Sequence, residues 1–205
     1  MARPRLITDE QILQTMRASV LEQGPAVSLD LVAGKLGVTG PALLKRFGTR
    51  QALMIEALKP PDEPTWVQAH REVDARPLEQ QLEALFTDIW VFFAEAVPCV
   101  MALRASGIDD QLWQSALRPG PIRGLGALVK WLELAKAHAL VESDDVETAA
   151  SAMLGALHMR IITAHLNRQS TATRHHRKPL RALAVFFASA LAPRRAAPNP
   201  RLRRA

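Results

Sequence analysis

The sequence SLDLVAGKLGVTGPALLKRFGTRQAL, residues 28–53, decides the fold. It predicts two short helices joined by a tight turn, followed by the start of another helix. Ser28 can cap the first helix and Gly37 can end it, because glycine adopts the left-handed backbone conformation at little steric cost. Thr39 is placed to cap the second helix, and Pro41 in its first turn costs no hydrogen bond. A helix-turn-helix has this layout, although a hairpin within an ordinary helical bundle fits the same spacing.

The second of these helices is predicted to present one exposed face. Its exposed residues would be small near the N-terminus, where base edges are approached in a DNA complex, and cationic further along. The positions predicted to be exposed are Thr39, Gly40, Ala42, Lys45 and Arg46.

The segment GVTGPALLKRFGTRQAL, residues 37–53, resembles the signature of TetR-family transcriptional regulators, which reads roughly G-V-S-x-x-x-L-Y-x-H-F-x-[ST]-K-x-x-L. The resemblance covers residues 8–58. It implies an all-α protein with an N-terminal three-helix helix-turn-helix DNA-binding domain over 1–58. A C-terminal helical domain over 59–192 would then bind a small effector and form the dimer. The resemblance also implies that a repressor binds a palindromic operator and that the effector releases it.

The sequence departs from the family pattern within this motif. Leu44 stands where the family has an aromatic residue, and the chain contains no tyrosine. One phosphate contact that the resemblance implies is therefore expected to be lost, and Lys45, Arg46 and Arg50 could compensate for it. Arg46 replaces the usual histidine and Arg50 the usual lysine. We expect small side chains to face the bases and cations to contact phosphates. The residues expected at the DNA surface are Ser28, Thr39, Gly40, Pro41, Ala42, Leu44, Lys45, Arg46 and Arg50.

Composition and charge agree with a helical protein that binds a polyanion. The 205 residues are 48% hydrophobic, enough for one large core or two modest ones, and no uninterrupted apolar run is long enough to span a bilayer. Residues 59–167 carry nine Lys/Arg against fifteen Asp/Glu, whereas 168–205 carry ten Lys/Arg and no acid. The tail over 193–205 is predicted to be disordered, and its charge serves DNA binding or solubility equally well. A single cysteine, Cys99, and the lack of a secretory signal indicate the cytoplasm.

Helical periodicity continues through the rest of the chain. Thr8 and Gln11 form a predicted capping box before the first helix. Three prolines, Pro60, Pro61 and Pro64, are predicted to end the helix that starts at Thr49. Further helices are predicted at about 76–98, 122–138, 144–167 and 179–192, with residues 167–178 as a loop.

The last two predicted helices are more apolar than surface helices of a monomer. The resemblance implies that they pair with those of a second subunit, while simple coverage of one subunit's core is the alternative. Two identical subunits would match a palindromic site with half-sites about 34 Å apart.

Aromatic and methionine side chains in the middle helices suit a cavity for an apolar or aromatic molecule. Each alone fits core packing equally well. Neither a metal site nor a cofactor site is predicted, because the histidines lack carboxylate or thiolate neighbours at ligand spacing. Catalysis is not expected, since Cys99 lies in an apolar run and no catalytic motif is present. A helical protein–protein interaction dimer with a degenerate helix-turn-helix remains the alternative. The predicted ligand-binding residues are Trp90, Phe93, Met101, Trp113, Trp131, Met153 and His158.

Overall fold

The computed structural model describes residues 7–117 and 119–193, and helix is the regular secondary structure found there. The all-α prediction is therefore confirmed. The helices are α1 Asp9–Gln23, α2 Leu29–Lys35, α3 Gly40–Phe47, α4 Arg50–Leu58, α5 Thr65–Ala69, α6 Leu78–Ala105, α7 Asp110–Leu117, α8 Pro119–Ala137, α9 Val146–Leu166 and α10 Thr173–Leu191.

The predicted local signals set the boundaries of the first helices. Thr8 and Gln11 form the capping box of α1, with both reciprocal hydrogen bonds present. Gly37 has φ +66° and follows α2 in a Schellman motif, in which the Val38 amide donates to the Ala33 carbonyl at 3.0 Å. Thr49 caps α4 by accepting from the Ala52 amide at 3.0 Å. Thr39 occupies the N-cap of α3, but its hydroxyl makes no capping hydrogen bond, contrary to the prediction.

Two prolines that were predicted to bound helices lie inside them instead. Helix α6 continues through Pro98 to Ala105, and α10 begins at Thr173, six residues before Pro179. The segment predicted as a loop therefore holds the first turns of α10. Packing on α6 favours this extension, because Trp90 Nε1 donates to the Thr171 carbonyl at 2.9 Å and the His176 ring lies 4.1 Å from the Trp90 ring.

Helix α6 connects two hydrophobic clusters. Its N-terminal and middle turns lie in the larger cluster with α8, α9 and α10, where Phe86 meets Phe187 edge-on at 5.9 Å. Its C-terminal turn contributes the buried residues Cys99 and Leu103 to the cluster formed by α1–α4. The N-terminal unit, α1–α4, therefore packs directly on α6, which is the central helix of the remaining unit, α5–α10, called the body below.

By length and composition alone, α6 is apolar enough to cross a membrane. Its buried side chains in this fold face other helices of the same chain, as expected for a central helix of a globular domain. Glu83, Asp88 and Glu95 interrupt its apolar surface.

Other departures from the predicted layout are small. Asp145 caps α9 by accepting from the Thr148 amide at 2.9 Å, close to the start predicted at about residue 144. The short helix α5 was not predicted, because five residues give no periodic signal. The predicted disordered tail lies outside the described residues from position 194 onward.

Candidate DNA-binding surface and ligand cavity

The N-terminal turn of α3 is the exposed tip of the helix-turn-helix. Thr39, Pro41 and Ala42 are all exposed there. Because the Thr39 hydroxyl makes no capping bond, it is free to donate and accept at the point where the helix dipole is positive. The tip therefore offers a hydroxyl and methyl groups to an incoming surface.

Gly40 does not share this exposure, although the sequence predicted that it would. It is buried against α2, and a Cβ placed on it would come 2.6 Å from Asp30 Oδ1. Gly40 thus allows α2 and α3 to approach closely. Its predicted exposure is wrong because the turn brings the first residue of α3 over the first turn of α2.

Arg46 turns back toward α1 instead of extending into solvent. Its guanidinium donates to the Ile7 carbonyl at 2.9 Å and to the Asp9 carboxylate. The side chain is 22% exposed. Arg46, which was predicted to be a free cation, therefore links α3 to the N-terminus of α1. The packing of these two helices brings the Asp9 carboxylate within reach of its guanidinium.

Arg50 is likewise half-buried and has partners within the chain. Its Nη2 donates to the Val27 carbonyl at 2.9 Å and also to the Pro25 carbonyl. Both acceptors belong to the connection between α1 and α2. Arg50 therefore holds this connection against the start of α4. Its guanidinium is partly buried and not fully exposed at the predicted DNA surface.

The other predicted DNA-contacting residues have simpler positions. Lys45 is exposed and forms neither a hydrogen bond nor an ion pair with any residue that the structure describes. Ser28 is exposed and accepts from the Leu31 amide at 3.2 Å as the N-cap of α2. Leu44 is half-buried on α3. Lys45 is therefore the cation of α3 that is available to a phosphate without breaking a contact.

A cavity of about 660 Å³ lies among the helices that follow the N-terminal unit, and no described residue of α1–α4 lines it. Its wall is mainly apolar and comes from α5, α6, α7, α8, α9 and the segment that joins α4 to α5. The described lining residues are Pro60, Pro61, Asp62, Pro64, Trp66, Phe92, Phe93, Ala96, Val97, Val100, Met101, Gln114, Gly120, Pro121, Gly124, Leu154, Gly155, His158 and Ile162.

Three of the predicted ligand-binding residues line this cavity, namely Phe93, Met101 and His158. The His158 ring lies 4.9 Å from the Phe93 ring. Desolvation by the surrounding groups lowers the pKa of His158, so the neutral imidazole is favoured at the cavity wall.

Three others lie in the core. Trp90 and Met153 are fully buried in the larger cluster, and Trp131 is 3% exposed with its Nε1 donating to the Glu72 carbonyl at 3.2 Å. These three residues do not line this cavity, and Trp131 lines a second, smaller one of about 440 Å³ with His70 and Lys130. Helical periodicity cannot separate a core face from a cavity wall when both are apolar. The Trp113 side chain lies outside the described part of the structure.

The linker after α4 forms a wall of the cavity that the sequence did not predict. Pro60, Pro61 and Pro64 were interpreted as a helix stop, yet all three line the cavity together with the buried Trp66. A run of prolines between two apolar helices is compatible with an extended wall segment, but the sequence does not say which face it presents. A molecule in the cavity would therefore touch the segment that continues directly from α4.

One polar group in this wall has no partner. Trp66 is 4% exposed, and its Nε1 makes no hydrogen bond within the described structure. The other buried indoles differ, since Trp90 and Trp131 each donate to a backbone carbonyl.

Helices α9 and α10 expose large apolar side chains. Met159 and Leu166 on α9 are 63% and 64% exposed, and Phe186 on α10 is 62% exposed with Val185 beside it. Large apolar side chains exposed on the surface of a single subunit mark candidate interface positions.

Neither a nucleophile nor a metal site emerges from the described residues. Cys99 is buried between α6 and the N-terminal unit, and burial raises the pKa of its thiol. No group of three or more His, Cys, Asp or Glu side chains among the described residues is arranged to hold a metal ion.

The sequence matches no protein-family model, and no curated protein matches it. The fold is similar to solved structures. A protein from Mesorhizobium loti assigned to the TetR-family transcriptional regulators is 18% identical, with a TM-score of 0.71 over 90% of this chain and 96% of the other. A TetR transcription regulator from Haloarcula marismortui is 16% identical, with a TM-score of 0.69 over 90% and 98%.

The transcriptional regulator FadR from Bacillus subtilis, solved in complex with stearoyl-CoA, is 15% identical, with a TM-score of 0.64 over 87% and 98%. At these identities the likeness concerns the fold. It extends over both the N-terminal unit and the body, and it agrees with the resemblance carried by residues 37–53. The chain therefore has the fold of the TetR-family transcriptional regulators.

Proposed function

We propose that this protein is a cytoplasmic, dimeric, ligand-responsive transcriptional regulator that binds operator DNA through α2 and α3. The observation that carries the proposal is the exposed tip of α3 on a unit whose continuation, the linker after α4, lines a cavity. Thr39, Pro41 and Ala42 would face base edges, and Lys45 would contact a phosphate. With so few long polar side chains at the tip, methyl contacts and DNA shape would supply much of the specificity.

The proposed coupling follows from the position of the linker. A ligand in the cavity would contact Pro60, Pro61 and Pro64, which follow α4 without an intervening helix. Because α4 packs on α1 and α3, a displaced linker would change the orientation of the N-terminal unit relative to the body. A coupling free energy of about 1–3 kcal/mol would change operator affinity by several-fold to about a hundredfold. We infer that the ligand releases the operator, which makes the protein a repressor.

Dimerisation is proposed through the exposed apolar face of α9 and α10, defined by Met159, Leu166, Val185 and Phe186. A dimer would bury side chains that are otherwise costly to expose, and it would place two α3 helices for a palindrome. We expect Phe186→Asp to yield a monomer by analytical ultracentrifugation. Ile122→Asp is the matched control, because Ile122 is 60% exposed on α8, and it should remain dimeric. A dimeric Phe186→Asp variant would contradict this interface.

DNA binding is tested by selection from a pool of random-sequence duplexes, followed by sequencing of the retained molecules. An enriched palindrome is the expected result. Retention without enrichment would mean that the chain binds DNA only as a polyanion, and it would contradict the proposed regulator. Affinity for the selected site should also fall steeply with salt, since phosphate contacts release condensed counterions.

One observation favours a second candidate, a helical protein–protein interaction dimer. Arg46 and Arg50 are engaged within the chain, which leaves a sparse cationic surface on the helix-turn-helix. Lys45→Ala separates the two functions. It should weaken binding to the selected duplex if the protein is a DNA-binding regulator, and it should leave an interaction dimer unaffected.

A further inference from the structure

The second cavity, of about 440 Å³, lies between α8 and the segment that includes α5. Its volume falls within the range of small-molecule sites in proteins. It shares no described lining residue with the ligand cavity beside α6 and α9. The proposed function therefore gives it no role, and its lining has a different chemical character.

One face of α8 gives the second cavity a recess between two cations. The α8 residues that line it are spaced i, i+3, i+4, i+7 and i+8, so they share one face of the helix. Arg123 and Lys130 are about 10 Å apart along the helix axis. Gly126 and Ala127 lie between them on this face. A Cβ built on Gly126 would have no neighbouring atom within 4 Å outside the adjoining residues and the backbone of α8, so the recess is open.

The cations of the second cavity outnumber its acids. Arg123 and Lys130 are exposed and form neither a hydrogen bond nor an ion pair with any residue that the structure describes. Arg71, across from α8, has its Nη2 4.0 Å from an oxygen of Glu63, the one acid of the described lining. His70 lies beside them, and its Nε2 is paired with the Asp88 carboxylate at 2.8 Å.

This charge is opposite to that of the surrounding sequence. Residues 59–167 carry nine Lys/Arg against fifteen Asp/Glu, yet three of these cations and one of these acids line the second cavity, which leaves +2. Like charges around one recess repel each other, and an anion among them removes that repulsion. A phosphate ester carries about −1.5 to −2 at neutral pH and offers three acceptor oxygens, so it balances this charge better than a single carboxylate does. Arginine guanidinium groups match phosphate geometry well.

We propose that the second cavity binds a soluble phosphate monoester. Arg71, Arg123 and Lys130 hold the phosphate, and the organic part lies in the recess over Gly126 and Ala127.

The proposed site goes beyond the effector site and is separated from it by α5. Trp66 and Val67 are consecutive residues of this helix, and each lines a different cavity. The linker likewise contributes Pro64 to the ligand cavity and Glu63 to the second cavity. The protein therefore has room for a phosphate ligand and an apolar ligand at the same time.

The experiment measures binding by isothermal titration calorimetry with the full-length protein and without DNA. Ribose 5-phosphate is the probe, and ribose is its neutral counterpart. We expect ribose 5-phosphate to bind and ribose not to bind. The double variant Arg123→Gln, Lys130→Gln should bind the phosphate at least about tenfold more weakly, because two charge-assisted donors are lost. Arg160→Gln is the matched control and should bind like the wild type, since Arg160 is an exposed cation of α9 that does not line the second cavity.

Two single substitutions test the shape and the charge of the site separately. Gly126→Leu keeps every charge but fills the recess, and leucine favours a helix more than glycine does, so the variant should fold and bind more weakly. Glu63→Gln removes the acid and should strengthen binding about two- to fivefold. Inorganic phosphate should bind more weakly than ribose 5-phosphate, because it leaves the recess empty.

Several results would overturn the assignment. These are a lack of binding of ribose 5-phosphate, equal binding of ribose, and an unchanged affinity in the double variant or in Gly126→Leu. Equal weakening by Arg160→Gln would show that the phosphate responds only to overall charge. Equal affinity for inorganic phosphate would exclude a site for the ester group. If the double variant instead loses affinity for the selected duplex while the wild type binds no ribose 5-phosphate, these cations contact DNA and the assignment is wrong.

Discussion

Replacement of Arg50 tests whether this residue stabilises the fold or contacts a DNA phosphate. The structure gives it two backbone acceptors, the carbonyls of Pro25 and Val27, and leaves its side chain half-buried. Arg50→Ala removes both bonds and leaves two carbonyls short of a donor. Each bond from a charged donor contributes about 1.5–3 kcal/mol when well buried. Because the side chain is partly exposed, water can replace part of these hydrogen bonds in the variant. We therefore expect the free energy of unfolding to fall by about 2 kcal/mol in total.

The assay is thermal and urea unfolding followed by circular dichroism at 222 nm. A loss of about 2 kcal/mol corresponds to a decrease in Tm of about 4–8 °C for a chain of this size. Arg50→Lys is the informative second variant, because it keeps the charge but cannot present the planar fork to two carbonyls. It should be destabilised as well. Lys45→Ala is the matched control, since Lys45 is exposed and unpaired in the described structure, and its Tm should stay within about 1–2 °C.

One combination of results would refute the structural role of Arg50. In it, Arg50→Ala unfolds at the wild-type temperature but loses operator affinity, and Arg50→Lys restores that affinity. Arg50 would then contact a phosphate. If Arg50→Ala is destabilised and the folded fraction binds DNA with the wild-type salt dependence, Arg50 acts through the α1–α2 connection. The same salt series on Lys45→Ala should show a slope smaller by about one unit.

Three further predictions concern the body and its junction with the N-terminal unit. Native Cys99 should not react with a thiol reagent until the protein unfolds, because it is fully buried and its pKa is raised. Leu103→Ala should destabilise the fold by about 2–5 kcal/mol in urea unfolding, whereas Leu112→Ala, at a half-exposed position, should cost far less. The lowered pKa of His158 means that the folded chain binds fewer protons than the unfolded chain just below pH 6.5, so stability should fall as the pH drops through that value. His158→Gln should make the free energy of unfolding less dependent on pH in this range. An unchanged slope of that free energy against pH would show that His158 is not the cause.

Local chemistry made the boundaries of the N-terminal helices predictable. The Thr8–Gln11 capping box, the left-handed Gly37 and the Thr49 cap each act within about four residues, so the sequence pattern contains the whole cause. The same reason explains why the prediction at Thr39 was half right. Its position as the N-cap followed from the sequence, but the rotamer of its hydroxyl did not.

Partners distant in sequence could not be predicted. Arg46 bonds to Ile7, 39 residues away, and Arg50 bonds to Val27, 23 residues away. Whether a surface cation reaches solvent or a carbonyl depends on how α1 packs on α3 and α4, which no local pattern encodes. Gly40 shows the same limit, because its burial results from the close approach of α2.

The sequence by itself predicted that this protein is all-helical and where most of its helices begin or end, and the resemblance of residues 37–53 to a known family predicted a helix-turn-helix near the N-terminus. The tertiary structure alone decided which of the described tryptophan side chains lines the cavity beside α6, α8 and α9. Trp66, Trp90 and Trp131 are equally apolar in the sequence, but only packing determines which indole N–H finds a carbonyl. The tertiary structure also decided that Pro60, Pro61 and Pro64, which were predicted only to end a helix, line the cavity. The helices on either side of the linker set its path.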